Sequence, residues 1–533
     1  MRPFDENGTF INAVPGDGDK LRRIAVKSAG ATIASGSITL AIQMIATVVL
    51  ARLITPRDFG LVAMVTTFSL LLSNFGLNGL TEAVVQREKI DRVLASNLFW
   101  ISVGGGGVLT VGFAAAGSLL GKFYGEVAVV QIAIWISSTI ILTSASVLHL
   151  GLLKRAMQFS KVAGNDIVAR TMSVVVSIVL GGAGWGYWAL VVGACVLPLS
   201  TTIGAWILCQ WIPGRPRYAS GTGTMLKYAM NTYGRFTVNY FARNTDNLLV
   251  GWAFGAHALG FYKKAYDLFA LSTTQLVAST SVVAVSALSR VTEDRSQYRR
   301  FLLGAMTVMA FLGMGLAGDL TLIGKDLILL LLGPAWAPAG QIFTFFAPGI
   351  GMMILYNTHG WIHLSIGKAD RWFLWGIVEW IVTILLLLVG LQWGPQGIAV
   401  AWCISFWILT IPAMWYAGRP IGFGAGEVIS VVWRYILASL LAGLVCWFFF
   451  SRQAWLSGAS GAGGAALRIV VVSISFTLLY LLTIVLLYSS LSPLKRMSDL
   501  LREMVSARGV VGLSAAETLP GVGEHEQIPT LAK

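Results

Sequence analysis

Charge is what this sequence has least of. Only 12% of its 533 residues are Asp, Glu, Lys or Arg, about half the share of a soluble globular domain. That excludes an ordinary soluble enzyme. Cysteine is scarce too, and Cys195, Cys209, Cys403 and Cys446 all sit in apolar runs. They read as small buried hydrophobes, too few for a disulfide scaffold. There is no GxxxxGK[ST] stretch, since Gly367-Lys368 is followed by Ala369, so no Walker A loop is available to draw on ATP. The only Asp-x-Asp, Asp17 to Asp19, lies in a polar N-terminal stretch and does not point to a glycosyltransferase. His359 and His363 stand four apart without an HExxH pattern, so no metal is expected, and no other cofactor either. No cleavable signal peptide is visible, and residues 1–19 read as a polar, disordered tail.

What the chain has instead is hydrophobic length. Apolar residues make up 56% of it, and the mean hydropathy is +0.74. A spanning helix needs about 20 mainly apolar residues. Such stretches recur at 30–50, 60–81, 96–118, 127–150, 166–184, 187–210, 230–254, 265–288, 300–323, 340–363, 372–392, 396–417, 428–450 and 467–488. The pattern predicts an all-α polytopic membrane protein of about fourteen spans. The net charge of +14 then belongs to basic cytoplasmic loops rather than to nucleic-acid binding. With both termini inside, Lys and Arg favour the inner loops by about three to one. The outer loops are short, the longest being 324–339 and 451–466. That argues against a membrane-embedded polymerase or ligase, which needs a large catalytic loop.

The chain also resembles itself. A shift of 200 sets Lys27 on Lys227, Val49 on Leu249 and Phe59-Gly60 on Leu259-Gly260. A shift of 208 sets Phe123-Tyr124-Gly125 on Leu331-Leu332-Gly333 and Trp185-Gly186 on Trp393-Gly394. Spans 1–6 therefore repeat as spans 7–12. Because six is even, the halves keep one orientation and are related by a pseudo-twofold along the membrane normal. The predicted organisation is a cytoplasmic tail (1–27), a six-helix bundle (28–211), a linker (212–226), a second bundle (227–417), two extra helices (418–490) and a cytoplasmic tail (491–533).

Polar residues at i+4 line up on one helix face. Span 7 carries Asn231, Arg235, Asn239, Arg243 and Asn247 in that register, with Asp246 beside them. Span 1 carries Ser35, Thr39, Gln43 and Thr47, which the 200-residue shift places on Arg235, Asn239, Arg243 and Asn247. Span 2 adds Asn74, Asn78, Glu82 and Gln86. An arginine at a helix centre costs about 2.5–3.5 kcal/mol on insertion scales, so two on one face should avoid lipid. One reading is a hydrated cavity lined by spans 1, 2 and 7. There the arginines would take an anionic head group such as a pyrophosphate, and the amides and hydroxyls would take sugar hydroxyls. The other is local: Arg243 pairs with Asp246, and Arg235 snorkels to the cytoplasmic side.

Further polar groups are less informative. Glu379 either carries a coupling proton or pairs with a neighbour, and Asp246 is a second candidate for ion coupling. Arg170 lies one turn from Asp166 and reads as a structural pair. Tyr262, Lys263, Lys264 and Asp267 read as a solvated rim at the outer mouth. The 19 tryptophans suit interfacial belts, and Gly104 to Gly107 suit close helix packing.

The stretch Ala51-Arg-Leu-Ile-Thr-Pro-Arg-Asp-Phe-Gly-Leu-Val-Ala-Met64 resembles the signature of bacterial polysaccharide (O-antigen and exopolysaccharide) flippases. Leu152-Leu-Lys-Arg155, Phe159-Ser-Lys161 and Leu332-Gly-Pro-Ala-Trp-Ala-Pro-Ala339 resemble later landmarks of the same family. The likeness is to the Wzx type, on the branch of the colanic-acid exporters, and covers residues 20–490. It implies the multidrug/oligosaccharidyl-lipid/polysaccharide exporter fold, two bundles around a central cavity with alternating access. The implied cargo is an undecaprenyl-pyrophosphate-linked oligosaccharide moved between leaflets of the bacterial inner membrane. Polysaccharide polymerase and export machinery are the implied partners, alongside membrane lipids. The last two helices resemble the extra pair of lipid II flippases, where a groove holds the lipid tail. A cation-coupled drug antiporter of the same superfamily is the alternative, and it predicts an acidic cavity.

Overall fold

The computed structural model describes residues 3–11, 18–77, 80–87, 90–217, 222–450, 453, 461–491 and 495. For residues 18–33 and for scattered others inside helices, Asn231, Arg235 and Asn239 among them, it describes the backbone alone. The described residues form helices α1 (Gly18–Leu53), α2 (Pro56–Leu77), α3 (Leu80–Gln86), α4 (Arg92–Tyr124), α5 (Val127–Arg155) and α6 (Phe159–Gly182). There follow α7 (Tyr187–Cys209), α8 (Thr222–Arg290), α9 (Arg295–Leu332), α10 (Ala337–Phe346), α11 (Gly349–Tyr356) and α12 (Thr358–Ser365). The last are α13 (Ala369–Gly390), α14 (Gly394–Gly418), α15 (Ala425–Phe450) and α16 (Gly461–Tyr488). Among these residues the only extended pairings are two isolated bridges, Phe4 with Phe10 and Thr9 with Asp91.

Nine helical stretches among the described residues are long and apolar enough to cross a membrane, or ten if the pair Pro334–Phe346 and Gly349–Ser365, bent by 54°, is one span. That is fewer than the predicted fourteen, in part because one counted stretch, Asp370–Ile421, doubles back. It turns at Gly394, whose φ is 73°, and packs α13 against α14. The 69-residue α8 doubles back in the same way at Gly255 (φ 77°, ψ −178°), a conformation open to glycine. The Tyr262 hydroxyl donates to Asp246 at 2.7 Å across that turn. In a straight helix, residues so far apart in sequence would be separated by about 24 Å. So α8 is two arms, matching the seventh and eighth predicted spans.

Capping shows why the ends fall where they do. Asp91 starts α4 by accepting from the Leu94 amide, and Gly125 ends it in the left-handed conformation with φ 68°. Asp294 starts α9 by accepting from the Ser296 and Gln297 amides; these bonds and the one from the Ser296 hydroxyl hold its carboxyl below the usual range.

The packing falls into two groups. Helices α1 to α7 pack among themselves, and the second arm of α8 packs with α9 to α14. Most of the lipid-side surface is apolar, as at Val108 (74% exposed), Leu119 (67%) and Leu486 (67%). Trp100, Trp185, Trp252, Trp372, Trp393 and Trp415 stand exposed near helix ends, where indoles suit the membrane interface. Within such a protein, association rests on close packing and interhelical hydrogen bonds. Helices α15 and α16 pack on α9 in this way. Tyr480 donates to the Phe311 carbonyl at 2.8 Å and Ser439 to the Met314 carbonyl at 2.8 Å. Ser473 donates to Asp319 at 3.1 Å, and Arg468 pairs with Asp326 at 2.6 Å.

One end of the molecule, here the near end, holds the α3–α4, α5–α6 and α7–α8 connections. The far end holds the α1–α2, α4–α5 and α9–α10 connections and the turn of α8. The near end corrects one expectation. Residues 3–11 are not a disordered tail: Phe10 is buried against a cluster containing Leu80, Leu94, Phe99 and Trp211, and Arg155 lies over its ring at 5.1 Å. The Arg92 amide donates to the Gly8 carbonyl and the Phe10 amide to the Ile90 carbonyl. Residues 12–17 lie outside the described residues.

Candidate functional site

The first arm of α8 carries the arginine stripe. It lies along α2, pinned by the Tyr233 hydroxyl on the Leu71 carbonyl (3.0 Å) and the Tyr240 hydroxyl on the Thr67 carbonyl (2.7 Å). Arg243 is exposed. Glu379 of α13 is partly buried. Among the described residues no carboxylate forms an ion pair with Arg243. The local pairing with Asp246, one of the two alternatives, is not formed.

Asp246 faces the other way. It is fully buried and accepts from the Tyr262 hydroxyl at 2.7 Å, the Trp402 indole N–H at 3.0 Å and the Asn247 backbone N–H at 2.8 Å. A carboxylate taken out of water needs several donors to offset its desolvation. These three join both arms of α8 to α14. Asn247 is buried beside it, and its amide donates to the Asn244 side chain at 3.5 Å.

Helix α1 supplies the opposite wall. Thr39 and Gln43, with Gly36 and Leu40, line a cavity of about 290 Å³ whose other wall is Asp267, Ala270 and Leu271 of the second arm of α8. Span 8, the other arm of the same hairpin, forms that wall of the cavity. Thr39 donates to Asp166 at 3.4 Å, and Arg170 holds Asp166 at 2.9 Å, the expected structural pair. Ser35 lies on the same helix, half-buried. Asn74 of α2 uses its amide on the Leu70 carbonyl of its own helix, at 2.7 Å. Asn78 lies outside the described residues, as do the side chains of Asn231, Arg235 and Asn239.

Above the cavity the far end is closed, which corrects a second expectation. Tyr262 and Lys264 are not part of a solvated rim, whereas Lys263 and Asp267 keep partly exposed side chains. Tyr262 is fully buried and Lys264 only 9% exposed. Lys263 bonds Asp267 at 2.8 Å, and the Lys264 ammonium lies 4.2 Å from the centre of the Phe59 ring. The buried Trp336 donates to the Ala51 carbonyl at 2.7 Å. Arg52 donates to the Leu330 carbonyl at 2.7 Å, and Arg57 pairs with Glu126 at 3.1 Å. The sequence motifs around residues 51–64 and 332–339 thus meet in space, at the closed end.

Some site residues carried no sequence signal. Trp402 and Tyr356 sit in apolar runs where an aromatic is ordinary, and only the folded packing brings them to Asp246 and Glu379. His359 and His363 are buried beside each other, with ring centres 5.9 Å apart. Among the described residues no cluster of three or more His, Cys, Asp or Glu is placed to hold a metal.

The sequence and the fold both resemble those of known proteins. The chain is similar to the succinoglycan biosynthesis transport protein ExoT of Rhizobium meliloti, 20% identical over 90% of this chain and 96% of that one. It is also similar to the lipopolysaccharide biosynthesis protein WzxC of Escherichia coli, 19% identical over 79% of this chain and 86% of that one. Its fold matches that of the lipid II flippase MurJ in an inward closed conformation. The TM-score is 0.68, with 16% identity, over 87% of this chain and 99% of that one. Residues 49–341 match the family described as polysaccharide biosynthesis protein. With more than half of its length covered by that match, the chain belongs to the polysaccharide biosynthesis protein family.

Proposed function

We propose that the protein is a flippase for undecaprenyl-pyrophosphate-linked oligosaccharides in the bacterial inner membrane. The observation that carries this reading is Arg243. It is an exposed guanidinium within a spanning hairpin, with no ion-pairing carboxylate among the described residues. Such a group suits a pyrophosphate, which it can hold through two parallel hydrogen bonds. Asn231, Arg235 and Asn239 extend the same register along α8, toward the near end. Ser35, Thr39, Gln43, Asn74 and Asn78 supply hydroxyls and amides for sugar hydroxyl groups. The relatives' printed names, a succinoglycan transport protein and a lipopolysaccharide biosynthesis protein, support polysaccharide precursors as the cargo.

The head group crosses in the polar seam while the lipid tail stays in the bilayer, so the sugars never meet hydrocarbon. The two six-helix bundles rock about that seam, and no covalent bond is made or broken. The basic near end is cytoplasmic by the positive-inside rule, which puts both termini inside. Ion coupling is assigned to Asp246, on the arginine arm itself, and Glu379 of α13. Polymerase and export machinery take over the product at the far end, and α15 and α16 hold the lipid tail.

The test follows lipid-linked oligosaccharides in a strain lacking the protein, complemented by wild type or Arg243→Ala. The reading stands if the deletion strands intact repeat units on the cytoplasmic leaflet and Arg243→Ala inserts normally yet does not rescue. It falls if the repeat units reach the periplasmic leaflet without the protein and without a redundant flippase.

A further inference from the structure

The far end is closed by two contacts that are copies of each other. A Cβ placed on Gly60 would lie 1.7 Å from the Ala256 carbonyl oxygen, and one on Gly260 would lie 1.8 Å from the Pro56 carbonyl oxygen. Under the 200-residue shift, residue 56 corresponds to 256 and residue 60 to 260. Each glycine therefore receives the carbonyl that lies, in the other half, at the counterpart of its own i−4 position. The obstacle in both cases is backbone, which cannot rotate aside as a side chain can. Phe59 and Phe261 meet Trp336 edge-on around this point, with centroids 5.4 and 6.0 Å apart, so the contact is enclosed by packed rings. Below it the seam opens into the cavity between Gln43 and Asp267.

We infer that Gly60 and Gly260 form a two-part latch that closes the far end of the transport path. The missing side chains let the two halves of the chain meet backbone to backbone, and the path opens toward the far end only when both contacts part. This rests on the alternating-access part of the proposed function. The two contacts share one interface, so parting the halves for one alanine relieves the other. The effects of Gly60→Ala and Gly260→Ala are therefore equal in kind and not additive.

The test uses the full chain with its four cysteines replaced and a single reporter, Gln43→Cys, on the cavity wall. Membrane-impermeant maleimide is applied from the far-end side of oriented vesicles. Gly60→Ala and Gly260→Ala should each raise the labelling rate at least about fivefold, and the double variant no more than either alone, as expected for a population shift in one two-state gate. Gly112→Ala, where nothing lies within 4 Å, should leave it unchanged. If the alanine variants fail to accumulate, Phe59→Cys with Lys264→Cys decides. Bridging these by a short bifunctional thiosulfonate should abolish far-side labelling, and reductant should restore it. Unchanged labelling in folded alanine variants, or far-side labelling that persists in the bridged protein, overturns the latch. Labelling needs no substrate, so a chain that labels as expected but flips nothing keeps the latch and loses the flippase reading.

Discussion

Tyr262→Phe tests whether Asp246 is held as a structural node between the two arms of α8 and α14. The substitution keeps the ring and removes only the hydroxyl that donates to Asp246 at 2.7 Å. The carboxylate is fully buried, so no water replaces the lost donor. A hydrogen bond to a charged group contributes about 1.5–3 kcal/mol. A double-mutant cycle isolates it: Tyr262→Phe, Asp246→Asn and the pair are unfolded in mixed detergent micelles, and the coupling energy is read from the four stabilities. It should be about 1 kcal/mol or more, the difference between a charged bond of about 1.5–3 kcal/mol and the neutral bond of about 0.5–1.5 kcal/mol that the Asn oxygen can still accept. Tyr233→Phe serves as the control, since its hydroxyl bonds the Leu71 carbonyl instead. Its effect should add to that of Asp246→Asn within about 0.5 kcal/mol. A Tyr262–Asp246 coupling below about 0.5 kcal/mol would refute the idea that the hydroxyl stabilises the carboxylate.

Three other outcomes are expected. Arg243→Lys keeps the charge but loses the planar fork, and flipping should fall about tenfold in a leaflet assay with insertion unchanged. Gly318→Ala drives a Cβ to 2.4 Å from Ser439 Oγ and 2.5 Å from the Phe476 ring; it should cost about 1–3 kcal/mol in micellar unfolding by forcing α15 and α16 off α9. Phe10→Ala empties the near-end pocket between Trp211 and Arg155; a loss of about 2–4 kcal/mol in the same assay marks the segment as part of the fold, and no loss would mark it as a tail.

Much of the fold was legible because lipid imposes a crude rule. Backbone groups in hydrocarbon must be paired within their own helix, so long apolar stretches are helices and polar stretches are their ends. The repeat was legible too, since Phe59-Gly60 and Leu259-Gly260 carry the same local geometry in both halves. The doubling back at Gly255 and Gly394 was visible only as breaks between predicted spans. The docked segment 3–11 was not legible: its two phenylalanines are too few to register against polar neighbours, and their pocket is assembled from α3, α4 and the chain around Trp211.

For the candidate site the division is sharper. Helical periodicity alone put Arg243 in register with Asn239 and Asn247, because an i+4 spacing determines a shared face wherever the helix goes. It could not say which partner each charged group would find. Arg243 and Asp246 are three apart and look like a pair in sequence, yet Asp246 bonds Tyr262 and Trp402 instead. The lysines at 263 and 264 looked like a wet rim, yet Lys264 is buried against Phe59 while Lys263 stays partly exposed and bonds Asp267. Sequence determined the all-helical membrane class, the repeat and the polar register, since these follow from local composition and helix geometry. Tertiary structure decided which charges are buried, which stay available to a ligand and which end is shut, since desolvation and pairing depend on groups far apart in the chain.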